Sequence, residues 1–249
     1  MDPTIVAGKR AVKEIVYHSP HTVEAVYFQE GKRKEIAAIM SLCRNKAVKF
    51  QTVPPAKLDA MTEQKHQGVV AKVFPPGFLN GEQIRSRVKA SRVPLLLALD
   101  HVQDQGNVGS LARTSYALGL AGIVLTKDRS ASLGSRAIKS SAGAVERLPM
   151  GRVVNLARFV RECQSEHMHT YYAGTDENCH SLYALSLSWP ALVVLGNEEK
   201  GVRPGVAEAC EQGVYIPMPG GFDSLNVAQS GGIILGEMLR QWLNSQTAE

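Results

Sequence analysis

The front of the chain alternates between helical and strand-like apolar spacing. GKRAVKEIVYH reads as a helix and TVEAVYF as a strand. RKEIAAIMSLCRNK follows with apolar residues at helical spacing. Then come AVKFQTV as a strand, PAKLDAMTEQ as a short helix opened by proline, and HQGVVAKVF as a strand. The pattern predicts a small α/β sandwich over residues 1–74. FPPGFLNG, with its Pro-Pro-Gly and Asn-Gly steps, punctuates the chain, and the charged helix EQIRSRVKAS completes a linker over 75–93.

From Pro94 the pattern restarts. LLLALDHV is almost wholly apolar, as a strand buried on both faces of a parallel sheet must be. GIVLT, TYYAG, ALVVLG and GVYIPM repeat the strand signal with helical stretches between them, which predicts a doubly covered parallel sheet over 94–249. Ligands of such sheets bind at the carboxyl ends of the strands. Three segments leave strand ends with unusual polar or glycine content: DHVQDQGNVGSLART, LGNEEKGVRPG and PMPGGFDSLNVAQ.

Charge separates the two parts. Up to Val93 there are 16 Lys and Arg against 8 Asp and Glu; from Pro94 onward there are 12 against 15. A basic front part suits a phosphate backbone, and the acidic back part suits another task. The four cysteines form no CxxC pair and read as reduced thiols of a cytoplasmic protein. His167 and His169 alone are too few for a zinc site, so no metal is expected. No apolar run approaches the ~20 residues of a membrane span, and the N-terminus lacks a signal core.

The loops exclude common cofactor chemistry. No GxGxxG follows any of these strands, and Val202 and Arg203 stand where a P-loop needs lysine and a hydroxyl residue. Glu198 and Glu199 would repel a triphosphate and fit a cationic or neutral ligand better. A solvated turn at GNEEKG is the plain alternative. In the first loop Asn107 stands where it could cap the following helix, with Arg113 about two turns in. Such an arginine needs an anion, either Asp100 or Asp104, or an RNA phosphate or developing oxyanion. There is no GxSxG elbow. In IPMPGGFDSLNVAQSGG, beginning at Ile216, a Pro/Gly bend and Ser224-Leu225-Asn226 precede an apolar helix. That bend exposes backbone groups no ladder satisfies, which points to a ligand.

In order and spacing, NVGSLART, LGNEEKG and IPMPGGFDSLNVAQSGG resemble the three signature motifs of the SpoU (TrmH) family of RNA ribose 2′-O-methyltransferases. The resemblance runs from Leu95 to Gln241. The front part, with HQGVVAKV near its end, resembles the L30e-like RNA-binding domain of the 23S rRNA guanosine-2′-O-methyltransferase subgroup. Gln229 departs from the family's small-residue run, and Ser115 from a common alanine. The resemblance implies an N-terminal L30e-like α/β sandwich and a C-terminal SPOUT-type domain, its parallel sheet closed by a trefoil knot. It further implies S-adenosyl-L-methionine as donor, RNA as partner and a homodimer. Gly196, Ile216 and Leu225 are then expected at the cofactor, and Asn107, Arg113, Glu198, Ser224 and Asn226 in or near the catalytic site. Arg113 would serve the target phosphate or the 2′-oxygen, Ser224 and Asn226 would orient the nucleotide, and Glu198 would organise Arg113 or accept a proton. A tRNA substrate and a non-catalytic RNA-binding protein are the alternatives.

Overall fold

The computed structural model describes residues 3–74, 77–221 and 224–247. The first sheet is built from β1 (Thr4–Ala7), β2 (Val23–Gln29), β3 (Phe50–Val53) and β4 (Val69–Val73), in the order β1-β4-β2-β3. Both partners of β4 run antiparallel to it, and β2 and β3 are parallel. Strand alternation decides what covers each face. Val26 and Phe28 of β2 join the side covered by α1 (Lys9–His18) and α2 (Arg33–Asn45). Tyr27 turns to the other side, against Leu58 of α3 (Pro55–Met61). The helices pack through Val12, Ile15 and Val16, and through Ile36, Ile39, Met40 and Cys43, the one-sided spacing an amphipathic helix requires.

Two expected elements are shorter than their sequence pattern. The strand read in AVKFQTV begins only at Phe50, because Ala47 takes a positive φ of 55° and turns the chain out of α2. The linker helix α4 (Gly81–Ser86) starts on a capping box, with Asn80 and Gln83 exchanging side-chain and backbone bonds at 2.8 and 2.9 Å. It loosens into turns after Ser86. The Pro75-Pro76 step lies outside the described residues.

The second sheet is wholly parallel: β5 (Val93–Leu99), β6 (Leu120–Thr126), β7 (Met150–Val153), β8 (His169–Ala173), β9 (Cys179–Ser181), β10 (Ala191–Leu195) and β11 (Gln212–Tyr215), in the order β7-β6-β5-β10-β8-β11-β9. Leu95, Leu97 and Leu99 face α5 (Gln105–Leu118) and α9 (Val227–Gln246). Leu96 and Ala98 face α4, α7 (Leu156–Ser165) and α8 (Pro204–Ala207). Both faces are therefore dry, as the unbroken apolar run of β5 requires. The remaining helix, α6 (Ser135–Ser140), packs on α5 and also on β1 of the first sheet. The two parts meet again where Gln64 Nε2 donates to Ser135 Oγ at 3.1 Å. No helix among the described residues is long and apolar enough to cross a membrane.

The α5–α6 contact depends on the absence of a side chain. A Cβ at Gly109 would overlap the Ala137 carbonyl and the Ser140 hydroxyl, whereas Gly205 has open space around it. Gly109→Ala is expected to lower unfolding stability by about 2 kcal/mol in urea titrations. Gly205→Ala should raise it slightly, by about 0.5 kcal/mol, through the entropy of the unfolded chain.

Glu146, in the 3-10 turn Ala144–Glu146, carries a buried carboxyl beside Ser19 of the first part. Burial pushes it up to about 7, against the lowering effects of Ser19 and Arg147. The folded protein therefore holds this proton more tightly than the unfolded chain. That stabilisation is full below the unfolded value, about 4.3, and is lost as pH rises through about 7. In Glu146→Gln the difference in unfolding free energy between pH 5 and pH 8 should shrink by on the order of 2 kcal/mol.

Candidate active site

Because all seven strands run the same way, the loops leaving β5, β8, β10 and β11 emerge along one edge. There those after β8, β10 and β11 surround a cleft of about 720 Å³. Its floor is the strand ends Leu195-Gly196 and Val214-Tyr215-Ile216, and one wall is the bend Ser224-Leu225 with Val227 and Ile234 of α9. Of the residues expected at a cofactor, Gly196, Ile216 and Leu225 all line this cleft, as do Glu198 and Ser224. Among the described residues, the backbones of Ile216, Ser224 and Leu225 make no hydrogen bond to other backbone. The bend thus leaves donors and acceptors without a backbone partner, as its sequence suggested.

Gly196 is dictated by the shape of the loop after β10. Asn197 and Gly201 exchange backbone bonds at 2.8 and 3.1 Å, curling the loop back on itself. A Cβ on Gly196 would collide with the Gly201 and Val202 backbone. The curl lifts Glu198 to the rim.

Asn107, Glu198 and Asn226 come from three separate loops and form one hydrogen-bonded chain. Asn226 Nδ2 donates to Asn107 Oδ1 at 3.2 Å, and Asn107 Nδ2 donates to Glu198 Oε1 at 2.5 Å. Both residues are also bonded at the start of their own helices, Asn226 through its side chain and Asn107 through its backbone. Asn226 caps α9, its Oδ1 accepting from the Ala228 N–H at 2.9 Å, and the Asn107 N–H donates to Asp104 Oδ1 at 2.8 Å. The expected capping role of Asn107 is corrected here. Asp104 is the cap of α5, which begins two residues before Asn107, and this frees the Asn107 side chain to reach across the loops.

Arg113 stands apart. It is exposed on α5, six residues beyond Asn107 and so about 9 Å further along the helix axis. Among the described residues it has no ion-pair partner, and it does not line the cleft. The acidic partners considered for it are taken: Asp100 by Arg203 and Asp104 by Arg136.

The Asp100–Arg203 pair has no counterpart in the sequence reading. Asp100 ends β5 with no exposed surface, and its carboxylate accepts Arg203 Nε at 2.8 Å and the Arg203 backbone N–H at 2.9 Å. A charge closing an otherwise apolar strand was the available signal. Also unread were Tyr172 and Asp176, which line the cleft at the end of β8. Gln229, the departure in the third loop, is exposed. The residue of α9 that must be small is Gly231, where a Cβ would run into Leu111 and Leu195.

The cleft lining carries Asp176, Glu198 and Glu199 against Lys200. That excess of negative charge fits a cationic ligand, and the free backbone groups of the bend fit a heterocycle with its own donors and acceptors. S-adenosyl-L-methionine has both features, so the residues present suit it. Burial pushes the buried Cys43 thiol up to about 11 and Cys163 to about 12, so neither is a nucleophile at neutral pH. Among the described residues no group of His, Cys, Asp or Glu is placed to hold a metal ion.

Comparison with known proteins agrees with this two-part fold. The SpoU rRNA Methylase family matches residues 94–236, and the RNA 2′-O ribose methyltransferase substrate-binding family matches residues 5–79. The chain is 34% identical over 242 residues to the Haemophilus influenzae 23S rRNA (guanosine-2′-O-)-methyltransferase RlmB, covering 96% of this chain and 98% of that one. It is 32% identical over 243 residues, 97% of each chain, to a TrmH family tRNA/rRNA methyltransferase assignment in Staphylococcus haemolyticus. The fold matches the crystal structure of the SpoU methyltransferase AviRb from Streptomyces viridochromogenes in complex with AdoMet, with a TM-score of 0.81 at 24% identity over 97% of this chain and 91% of that one. Two family matches in the expected order, and relatives that span its whole length, show that this chain belongs to the SpoU family of S-adenosylmethionine-dependent RNA 2′-O-ribose methyltransferases.

Proposed function

We propose that the chain methylates the ribose 2′-hydroxyl of a guanosine in 23S ribosomal RNA, in the cytoplasm and as a homodimer. The observation that carries the catalytic reading is the Asn226–Asn107–Glu198 chain at the rim of the cleft. The rRNA assignment is supported by the full-length similarity to RlmB and by the basic front part. In this reading residues 1–74 hold RNA, 75–93 connect, and 94–249 carry the chemistry through a chain threaded as a trefoil knot. Exposed Ile233 and Leu243 on α9 support the dimer, since solvent alone gives an apolar helix face no partner.

Bound in the cleft, S-adenosylmethionine supplies an already activated methyl group, so the protein's task is alignment and charge stabilisation. Gly196, Ile216 and Leu225 would hold it, the last two offering backbone groups and apolar side chains to the adenine. Asn226 and Ser224 orient the target nucleotide at the rim. Glu198 anchors Asn107, so the Asn107 amide keeps one orientation while the 2′-hydroxyl approaches. Arg113, exposed and about two helical turns beyond Asn107, would serve the target phosphate or the 2′-oxygen. A guanidinium keeps its proton at neutral pH, so Arg113 acts as a cation and the base is left unassigned.

Purified protein should transfer labelled methyl from S-adenosylmethionine to 23S rRNA. Arg113→Ala and Asn107→Ala are each expected to reduce turnover by about 100-fold or more. Retained transfer in both variants would remove the catalytic reading. Mapping 2′-O-methylated riboses in cells lacking the gene, against wild type, should show one guanosine of 23S rRNA losing its mark. Loss from a tRNA instead would transfer the assignment to that substrate.

A further inference from the structure

Tyr172 and Asp176 form an assembly at the end of β8 that the catalytic reading does not use. The Tyr172 ring is buried in a slot that exists because two neighbours lack side chains. A Cβ on Gly213 would lie 2.7 Å from its Cζ, and one on Gly174 would lie 2.8 Å from its Cε2. From this slot the hydroxyl reaches both Asp176 oxygens, at 2.9 and 3.0 Å, and the Asn178 N–H adds a third bond to Oδ1 at 3.0 Å. Burial, and the hydrogen bond to Asp176, hold the Tyr172 phenol above its ordinary range, so it remains a donor. Burial works to raise the Asp176 carboxyl, yet Tyr172 and Asn178 keep it below its usual range. The result is an exposed carboxylate of fixed orientation on the cleft wall.

Strand order says which part of a donor would meet it. Across the edge the strands run β5-β10-β8-β11. Asn107 and Glu198 follow the ends of β5 and β10, while Ile216 follows β11. β8 lies between, roughly 4.8 Å from each neighbour. If adenine packs at Ile216 and Leu225 and the sulfonium faces Glu198, the ribose joining them passes over the end of β8.

We infer that Asp176, positioned by Tyr172, accepts a hydrogen bond from a hydroxyl of the donor's ribose. The inference rests on the donor reading of the cleft. The Tyr172 hydroxyl spans both oxygens and the Asn178 N–H adds to Oδ1, so Oδ2 is the oxygen with acceptor capacity to spare, and charge assistance strengthens an O–H bond to it.

Calorimetric titration of the intact protein with S-adenosylmethionine and with its 2′-deoxy- and 3′-deoxyribose analogues tests this without reference to turnover. Wild type should bind the natural donor about tenfold or more tightly than the analogue that lacks the bonded hydroxyl. Asp176→Ala should erase that preference, weakening the natural donor by the same factor while leaving the affinity of that analogue nearly unchanged. Tyr172→Phe should reduce the preference in part, because the carboxylate remains but its orientation loosens. Asp176→Asn keeps the shape of the loop and should lose less than alanine; unchanged melting curves for both would show the fold intact. Equal weakening of donor and both analogues in Asp176→Ala, or no weakening, overturns the inference and leaves the donor cleft standing. Failure of wild type to bind the donor at all would instead remove the cleft assignment itself.

Discussion

The geometry of the site rests on a buried carboxylate. Asp100 closes β5 with no exposed surface and is joined to Arg203, which follows the curled loop after β10. A charge withdrawn from water is tolerable only when paired and hydrogen-bonded, and removing one partner of such a pair typically costs about 3–5 kcal/mol. Arg203 meets that demand with its guanidinium and its own backbone N–H. This fixes the second loop against the first. Asn197 reinforces the link, donating from Nδ2 to the His101 carbonyl at 3.2 Å. With the loops so registered, Glu198 stands within reach of Asn107, and Asn226 joins from the cap of α9. Since Arg203 is about half exposed, at 45%, solvent screens part of this attraction; the pair sets registry more than it supplies net stability.

Close approach without side chains is the second condition. Gly196 lets the loop fold onto its own backbone, Gly109 lets α6 lie against α5, and Gly231 lets α9 lie against Leu111 and Leu195. Each glycine removes a methyl-sized obstacle at a close approach near the site. Substitutions here act on catalysis through packing, because the residues that touch ligand depend on where these backbones meet.

Much of this was legible in the chain. β5 declared itself through an apolar run that tolerates no wet face, and the bend after β11 through backbone groups with no ladder to join. Gly196, Ile216 and Leu225, the positions expected at a cofactor, line one cleft. Asn107 was misread as a cap because Asn and Asp have nearly equal N-cap preference, and DHVQDQGN offers both; only the helix start decides between them. The Arg203 partner of Asp100 lies 103 residues away, beyond any periodicity argument. Tyr172 and Asp176 are an i, i+4 pair across a strand end, where no helical or strand pattern makes neighbours of them. What escaped, in each case, was side-chain pairing set by tertiary registry.

The charge asymmetry of the sequence acquires a mechanical sense from the cleft. Its carboxylates attract a sulfonium, and they repel the phosphates that the basic front part gathers. RNA that enters against that repulsion does best by presenting a hydroxyl edge, not its backbone, to the rim. Transfer removes the positive charge from the donor, so the same carboxylates lose their attraction for the product. At exposed side chains such an interaction is worth about 1 kcal/mol at 4 Å in water and less in salt. Glu198 and Glu199 therefore bias exchange of product for fresh donor by only a few-fold. Tighter recognition must come from contacts that desolvate, and the cleft offers apolar surface for them at Leu225 and at Val227 and Ile234 of α9.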